Sequence, residues 1–177
     1  SEISWVSASG KETARSGRVS NDSEVEDIVE SLERLAGSDQ GRSLLDNHLC
    51  AQKSELFVGV IAMYAEQVAA IQRRIGTSSL DRNWRDQIKV GTVDSYQGKE
   101  NPIVMVSLVR DNSKKNIGFL RTENRINVAL SRAKERLVIF GSQRMFSGSD
   151  SKLAQVLAHP CLKGRIGPIK HDDFVVD

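Results

Sequence analysis

Three apolar runs limit what this chain can fold into more than any other feature. Residues 57–63 read F-V-G-V-I-A-M, residues 103–109 read I-V-M-V-S-L-V, and residues 137–140 read L-V-I-F before Gly141. A strand with one wet face alternates apolar and polar residues, whereas a run that is apolar throughout is buried on both faces. Segments of helical period lie between the runs. Val25, Ile28, Val29, Leu32 and Leu35 mark one, and Val68, Ile71 and Ile75 mark another, which follows Tyr64 and stops at Gly76. Buried strands separated by helices predict an α/β fold, a parallel sheet with helices on both faces in three layers.

The weaker elements fit the same plan. Residues 3–7 read as a first strand, 88–93 as another, and 151–158 as a last helix before Pro160. Asn21 or Ser23 can cap the helix at 21–35, with Glu24 or Glu26 three residues later closing a capping box. Residues 8–19, 77–87 and 110–120 read as loops, and Pro102 bars any helix from reaching the run at 103–109. Residues 37–56 lack a clear period. Leu44, Leu45 and Leu49 hint at a short helix there, inside a possible insertion or long loop. The ending F-V-V-D reads as a final strand or a docking segment. No internal repeat or low-complexity tract breaks the chain, so residues 1–177 are expected to form one domain.

Residues 121–141 combine a helix with a strand. Ile126, Ala129, Leu130 and Ala133 recur at i, i+3, i+4 and i+7, so the first two-thirds read as helical and residues 137–140 as a strand. Arg125 and Arg132 are seven residues apart, which on a helix returns to nearly the same face. Spacing alone leaves two readings, a solvated basic face and an anion site, for which the planar guanidinium is well suited.

Composition narrows the function classes. Lys plus Arg is 25 and Asp plus Glu is 23 in 177 residues, a formal net charge of +2, so any nucleic-acid contact must be a local strip. Cys50 and Cys161 are far apart and His48, His159 and His171 are scattered, which gives no zinc spacing and no Cys–His nucleophile. No Ser–His or paired-carboxylate constellation argues for another kind of α/β enzyme. No apolar stretch approaches the ~20 residues of a membrane span, and the N-terminus lacks a basic flank and apolar core of a signal peptide. An intracellular protein with no membrane contact is expected, its thiols reduced.

The motifs carry a resemblance to a known family. T-V-D-S-Y-Q-G-K-E at 92–100 and N-V-A-L-S-R-A-K at 127–134 resemble motifs V and VI of superfamily 1 helicases. The branch they resemble is 1B, that of the up-frameshift-type and senataxin-like helicases. V-G-V-I-A-M-Y at 58–64, followed by Glu66 and Gln67, resembles motif IV, and N-I-G-F-L at 116–120 is also family-like. The resemblance covers nearly the whole chain in family order, as a second RecA-like lobe. It implies a RecA-like, P-loop NTPase-type α/β/α fold and a motor lobe of an ATP-dependent 5′-to-3′ helicase or translocase.

By that resemblance Arg132 matches the arginine finger, which stabilises charge developing on the γ-phosphoryl. Arg125 either orders the site or reaches phosphate, the alternative being a surface ion pair with Glu123 or a neighbour. Glu100 matches a carboxylate facing the nucleotide, Gly98 permits close backbone approach, and Gln97 can bridge to motif VI or the other lobe. Asp94 is expected to order the turn. Thr92, Ser95 and Lys99, with Tyr64, are the candidates for holding single-stranded nucleic acid, RNA or DNA, across the C-terminal face of the strands. One departure weakens that contact: Ala62-Met63-Tyr64 stands where the family carries Thr-Pro-Tyr.

No G-x-x-x-x-G-K-[ST] and no D-E-x-x-Q occurs in the chain. ATP with Mg2+ is therefore expected to be held mainly by a first RecA-like lobe, in cis in a larger protein. The competing expectation is a RecA-like module that binds nucleic acid or protein without motor activity.

Overall fold

The structure is a computed structural model and describes residues 2–148, 151–163 and 165–167. In chain order the elements are β1 (Glu2–Ser7), β2 (Thr13–Arg15), β3 (Arg18–Ser20), α1 (Asp22–Gly37), α2 (Asp39–Cys50), β4 (Val58–Ala62), α3 (Ala65–Gly76) and α4 (Arg82–Asp86). Then follow β5 (Ile88–Thr92), β6 (Asn101–Ser107), α5 (Glu123–Leu130), β7 (Ala133–Gly141), α6 (Gln143–Phe146), α7 (Lys152–Leu157) and β8 (Ile166–Gly167). Six strands form one sheet in the order β5-β4-β6-β7-β1-β8, and every neighbouring pair is parallel. β2 and β3 form a small antiparallel hairpin inside the segment expected to be loop.

The sheet is buried on both sides because its central strands are apolar at both phases of the pleat. Val58, Val60, Ile103, Met105, Val138 and Phe140 face α1, α2, α3 and Trp84. Ile61, Val104, Val106, Leu137 and Ile139 face α5, α6 and α7 through Ile126, Ala129, Phe146 and Leu153. This is the RecA-like three-layer α/β/α arrangement. Pro102 lies inside β6 rather than ahead of it. It has no N–H to give, and the pairing with β7 slips there, between Asn101 and Ile103.

Four expectations need correction or refinement. The short helix hinted at by Leu44, Leu45 and Leu49 is present as α2, residues 39–50 capped by Ser38, so the stretch is not one long loop. Residues 82–86 form the short helix α4, because Trp84 is buried and Asp81 caps the turn. The helix in 121–141 ends at Leu130, and Ala133 opens β7. Arg132 O accepts from Asn101 N at 3.1 Å and Ala133 pairs with Asn101, so sheet pairing takes this chain out of the helix despite its period. Arg125 and Arg132 therefore do not share a helical face.

The fourth concerns Glu24. Asn21 does cap α1, accepting from Glu24 N at 3.3 Å, but the Glu24 carboxylate does not reach back to the cap. Fully buried, it accepts from Ser107 Oγ at 2.6 Å and from Val109 N at 3.0 and 2.9 Å. Val109 lies just past β6 at φ +71°, a left-handed conformation costly for a β-branched residue. Gln67 completes the cluster, bonding Asn21 N (2.8 Å), Asn21 O (3.1 Å) and Ser107 Oγ (3.0 Å). Burial pushes the Glu24 carboxyl up to about 8. The F-V-V-D ending lies outside the described residues.

Candidate functional site

β6 and β7 start side by side, and motifs V and VI meet at that end of the sheet. Arg132 is the last residue before β7, and Gly98, Lys99 and Glu100 lead into β6. The Arg132 guanidinium donates to Val128 O at 3.0 Å, to Ser131 Oγ at 3.0 Å and to Lys99 O at 3.4 Å. All three acceptors are neutral, and among the described residues no carboxylate pairs with Arg132. A side chain oriented by neutral acceptors keeps its full charge for an incoming anion. Gly98 has φ +73° and open space where a Cβ would go, so the turn itself is what favours glycine.

Beside them is a cleft of about 410 Å³ lined by Glu55, Lys89, Gly98, Lys99, Glu100 and Lys134. Glu55 pairs with Lys134 at 2.6 Å and pushes that lysine above its usual range. The neighbouring Lys99 holds the Lys89 ammonium below the usual lysine range. Lys89 and Lys99 on the cleft, with the Arg132 guanidinium beside them bonded only to neutral acceptors, suit an anion such as phosphate better than a neutral ligand. Among the described residues no group of three His, Cys, Asp or Glu is placed to hold a metal ion. Also among them, no helix is long and apolar enough to cross a membrane.

Motif V does not stay at one end of the sheet. A short 3-10 helix, Asp94–Tyr96, does follow the C-terminal end of β5. The chain then returns along the sheet, with Tyr96 buried beneath it and donating to Lys89 O at 2.7 Å, so residues 98–100 reach the N-terminal edge. Motif V thus spans the sheet, with Asp94 and Ser95 at one end and Glu100 at the other.

At the C-terminal end the remaining candidates separate. Thr92 is half-buried, and its carbonyl accepts from Ser95 Oγ at 2.8 Å. Lys99 Nζ turns back to Ser95 O at 3.3 Å, and Gln97 is exposed. Tyr64 is buried, 8% exposed, and is not itself presented to a ligand. It stacks on Phe119 with ring centroids 5.1 Å apart. Arg125 pairs with Asp94 at 3.0 Å, not with Glu123, and lies 5.0 Å from the Phe119 ring centroid. Asp94 therefore links motif V to motif VI as well as sitting in its turn.

Phe119 and Glu24 are the residues that sequence reasoning missed. The signal for Phe119 was present, an aromatic directly after a glycine in a polar loop. Gly118 has φ +54°, and a Cβ there would meet the Tyr64 hydroxyl at 2.4 Å. Gly118→Ala is expected to cost roughly 1–3 kcal/mol, read as a lower urea midpoint, because strain and overlap add. A midpoint equal to the wild type would show that the loop does not hold Phe119 against Tyr64.

The family model for the AAA domain matches residues 2–144. The chain belongs to that family. This AAA domain is also similar to named helicases. It is 40% identical over 107 residues to the Schizosaccharomyces pombe helicase required for RNAi-mediated heterochromatin assembly 1, covering 60% of this chain and 10% of that protein. It is 42% identical over 88 residues to the Saccharomyces cerevisiae ATP-dependent helicase NAM7, covering 49% of this chain and 9% of that protein. It is 37% identical over 109 residues to the Arabidopsis thaliana regulator of nonsense transcripts 1 homolog, covering 59% and 9%. The chain thus spans about a tenth of the length of these relatives. The three stretches that resemble motifs IV, V and VI, residues 58–64, 92–100 and 127–134, thus lie in chain order along the parallel sheet of this AAA domain.

Proposed function

We propose that the domain works as half of an ATP-driven nucleic-acid motor, completing a nucleotide site whose phosphate loop and magnesium ligands belong to a first RecA-like lobe in the same protein. The observation that carries this reading is Arg132, held by neutral acceptors beside Gly98 and Glu100 with its charge unspent. In this role Arg132 faces the γ-phosphoryl, Glu100 accepts from the nucleotide sugar, and the Gly98 backbone approaches the phosphates. Gln97 bridges to the other lobe. Arg125 acts through Asp94 to order motif V against motif VI. Magnesium supplies charge neutralisation at the phosphates from ligands on the first lobe.

Single-stranded nucleic acid is the proposed second substrate. It runs by the other end of the sheet, where Thr92 and Ser95 begin motif V and Tyr64 supports the neighbouring loop, with Lys99 reaching from the N-terminal edge back to Ser95 O. Contacts of this kind hold a sugar-phosphate backbone without reading sequence, as a translocating motor requires. A pure binding module has no use for an oriented, unpaired guanidinium at the edge opposite that track.

A turnover assay tests the division of labour. The 177-residue chain alone is expected to release no phosphate from ATP above background. A polypeptide joining it to a first lobe with a phosphate loop is expected to turn over, and faster when single strands are added. Robust hydrolysis by the isolated chain, abolished by Arg132→Ala, would overturn the proposal.

A further inference from the structure

β2 and β3 leave the main sheet as a two-stranded hairpin, and its two-residue turn puts Arg15 directly opposite Arg18. Ser16 at φ +49° and Gly17 at φ +78° make that turn, both left-handed, as the twist of a tight hairpin requires. Both arginines are exposed, and among the described residues neither has an acidic partner. Like charges directly opposite across a strand pair are destabilising. The hairpin holds this pair because its base is fixed by other contacts. Val19 is buried in the cluster that includes Tyr64 and Val109. Glu12 N donates to Asp111 O at 3.1 Å. The Glu12 carboxylate accepts from Asp111 N at 2.9 Å and Asn112 Nδ2 at 3.0 Å, and pairs with Arg110 at 3.2 Å.

These contacts seat the hairpin beyond the C-terminal end of β6, at the same end of the sheet as Thr92 and Ser95. A cleft of about 190 Å³ lies there, lined by Lys11, Asp111, Asn112, Ser113, Lys115 and Arg144 together with Met145. Asp111 is the carboxylate of that lining, 3% exposed and spent on Arg144 at 2.9 Å. Lys11 and Lys115 are exposed and have no acidic partner among the described residues. Hairpin and cleft thus gather Lys11, Arg15, Arg18 and Lys115, all without acidic partners, in a chain whose formal net charge is only +2. Val19 is the one large apolar side chain of β2 and β3, and it points into the core. A protein partner would ask for exposed apolar area, whereas guanidiniums and ammoniums without carboxylates fit phosphates.

We propose that the β2–β3 hairpin and the cleft beside it form a second contact for the phosphate backbone of nucleic acid, made by Arg15 and Arg18 at the tip and Lys11 and Lys115 below. The proposal rests on the nucleic-acid reading above. It extends the path from the motif V side of the sheet, at β4 and β5, to the side of β6 and β1. Contacts of this kind hold a strand by charge and read no sequence.

Fluorescence anisotropy with a labelled oligothymidine, titrated at several salt concentrations, tests it with wild type, Arg15→Ala/Arg18→Ala and Arg15→Lys/Arg18→Lys. The alanine variant is expected to bind several-fold more weakly and to lower the slope of log affinity against log salt by about 1.4, the loss of two single-strand phosphate contacts. Its melting temperature should be no lower than wild type, because a repulsive pair has been removed. The lysine variant keeps the charges and should keep the slope. An alanine variant with the wild-type slope would overturn the second contact while leaving the nucleic-acid reading standing. Polyglutamate that displaces the labelled strand as well as unlabelled oligothymidine of equal charge would also overturn it, giving the hairpin to an acidic protein. A wild-type chain that binds no strand overturns the nucleic-acid reading and the second contact with it.

Discussion

Arg132→Ala, made in a polypeptide that joins this lobe to a first lobe with a phosphate loop, is expected to cut ATP turnover by about 10³-fold or more. The reasoning starts from what Arg132 does in the lobe alone. Its guanidinium donates to Val128 O, Ser131 Oγ and Lys99 O, none of which carries charge. Removing it therefore leaves no carboxylate stranded and opens no apolar core. Folding should change by about 1 kcal/mol or less, as for surface sites in general. The rate loss should fall on kcat with KM little altered, because a finger acts on charge that develops only in the transition state. Arg132→Lys should recover little, since an ammonium has the charge without the fork. Steady-state kinetics beside a melting curve decides the matter. A kcat within tenfold of wild type for a folded Arg132→Ala protein would remove Arg132 from the catalytic role.

Substitution of Glu24 should have the largest effect on stability. Its carboxylate occupies the space between α1 and the end of β6, with 0% exposure. Glu24→Ala leaves Val109 N and Ser107 Oγ without their acceptor in a place water does not reach, at about 1–3 kcal/mol for each. It also leaves a void and removes the contact that holds Val109 left-handed. A total of about 4 kcal/mol is a large part of what a domain has, and should lower the melting temperature by about 10 °C. Glu24→Gln is the informative partner. Its amide oxygen can accept from Val109 N while its amide nitrogen donates to Ser107 Oγ, so it imitates the protonated acid.

The two forms separate by pH. The Glu24 carboxyl is raised from 4.5 to about 8, burial being the largest cause. The folded chain then keeps a proton that the unfolded chain has given up. Stability from this group is complete below the unfolded value of 4.5 and is lost as pH rises through about 8. The slope across that window should not exceed about 1.4 kcal/mol per pH unit. Urea unfolding of wild type and Glu24→Gln across the window should show the wild type losing stability relative to the variant as pH rises. Parallel profiles would mean that Glu24 is not protonated in the folded state.

The motifs placed Arg132, Gly98 and Glu100 in one functional set before any coordinates, and the structure does bring them to one edge. That was possible because each motif is a short local stretch whose residue types are tied to a task. The mistaken step was to seat Arg132 on a helix with Arg125. Ala133 fits a helical period and also fits a strand whose first residue faces the core, and only pairing with Asn101 separates the two. Glu24 was read as a capping residue because its spacing from Asn21 is right for one. Nothing in that spacing reveals an unsatisfied N–H on Val109, which lies 85 residues away in the chain. Trp84 was likewise passed over, since one buried side chain in a polar stretch leaves no period to read.

What the sequence determined by itself was the layered parallel sheet and the candidate set at motifs V and VI, because burial on both faces and motif chemistry are written in neighbouring positions. What only the tertiary structure decided was which end of the sheet each residue occupies and which charges are already spent. Arg125 is neutralised by Asp94, Tyr64 is buried under Phe119, and Arg132 stays unpaired, all through contacts between distant segments. Partners and edges follow from strand order and register, and those are set by how the whole chain packs.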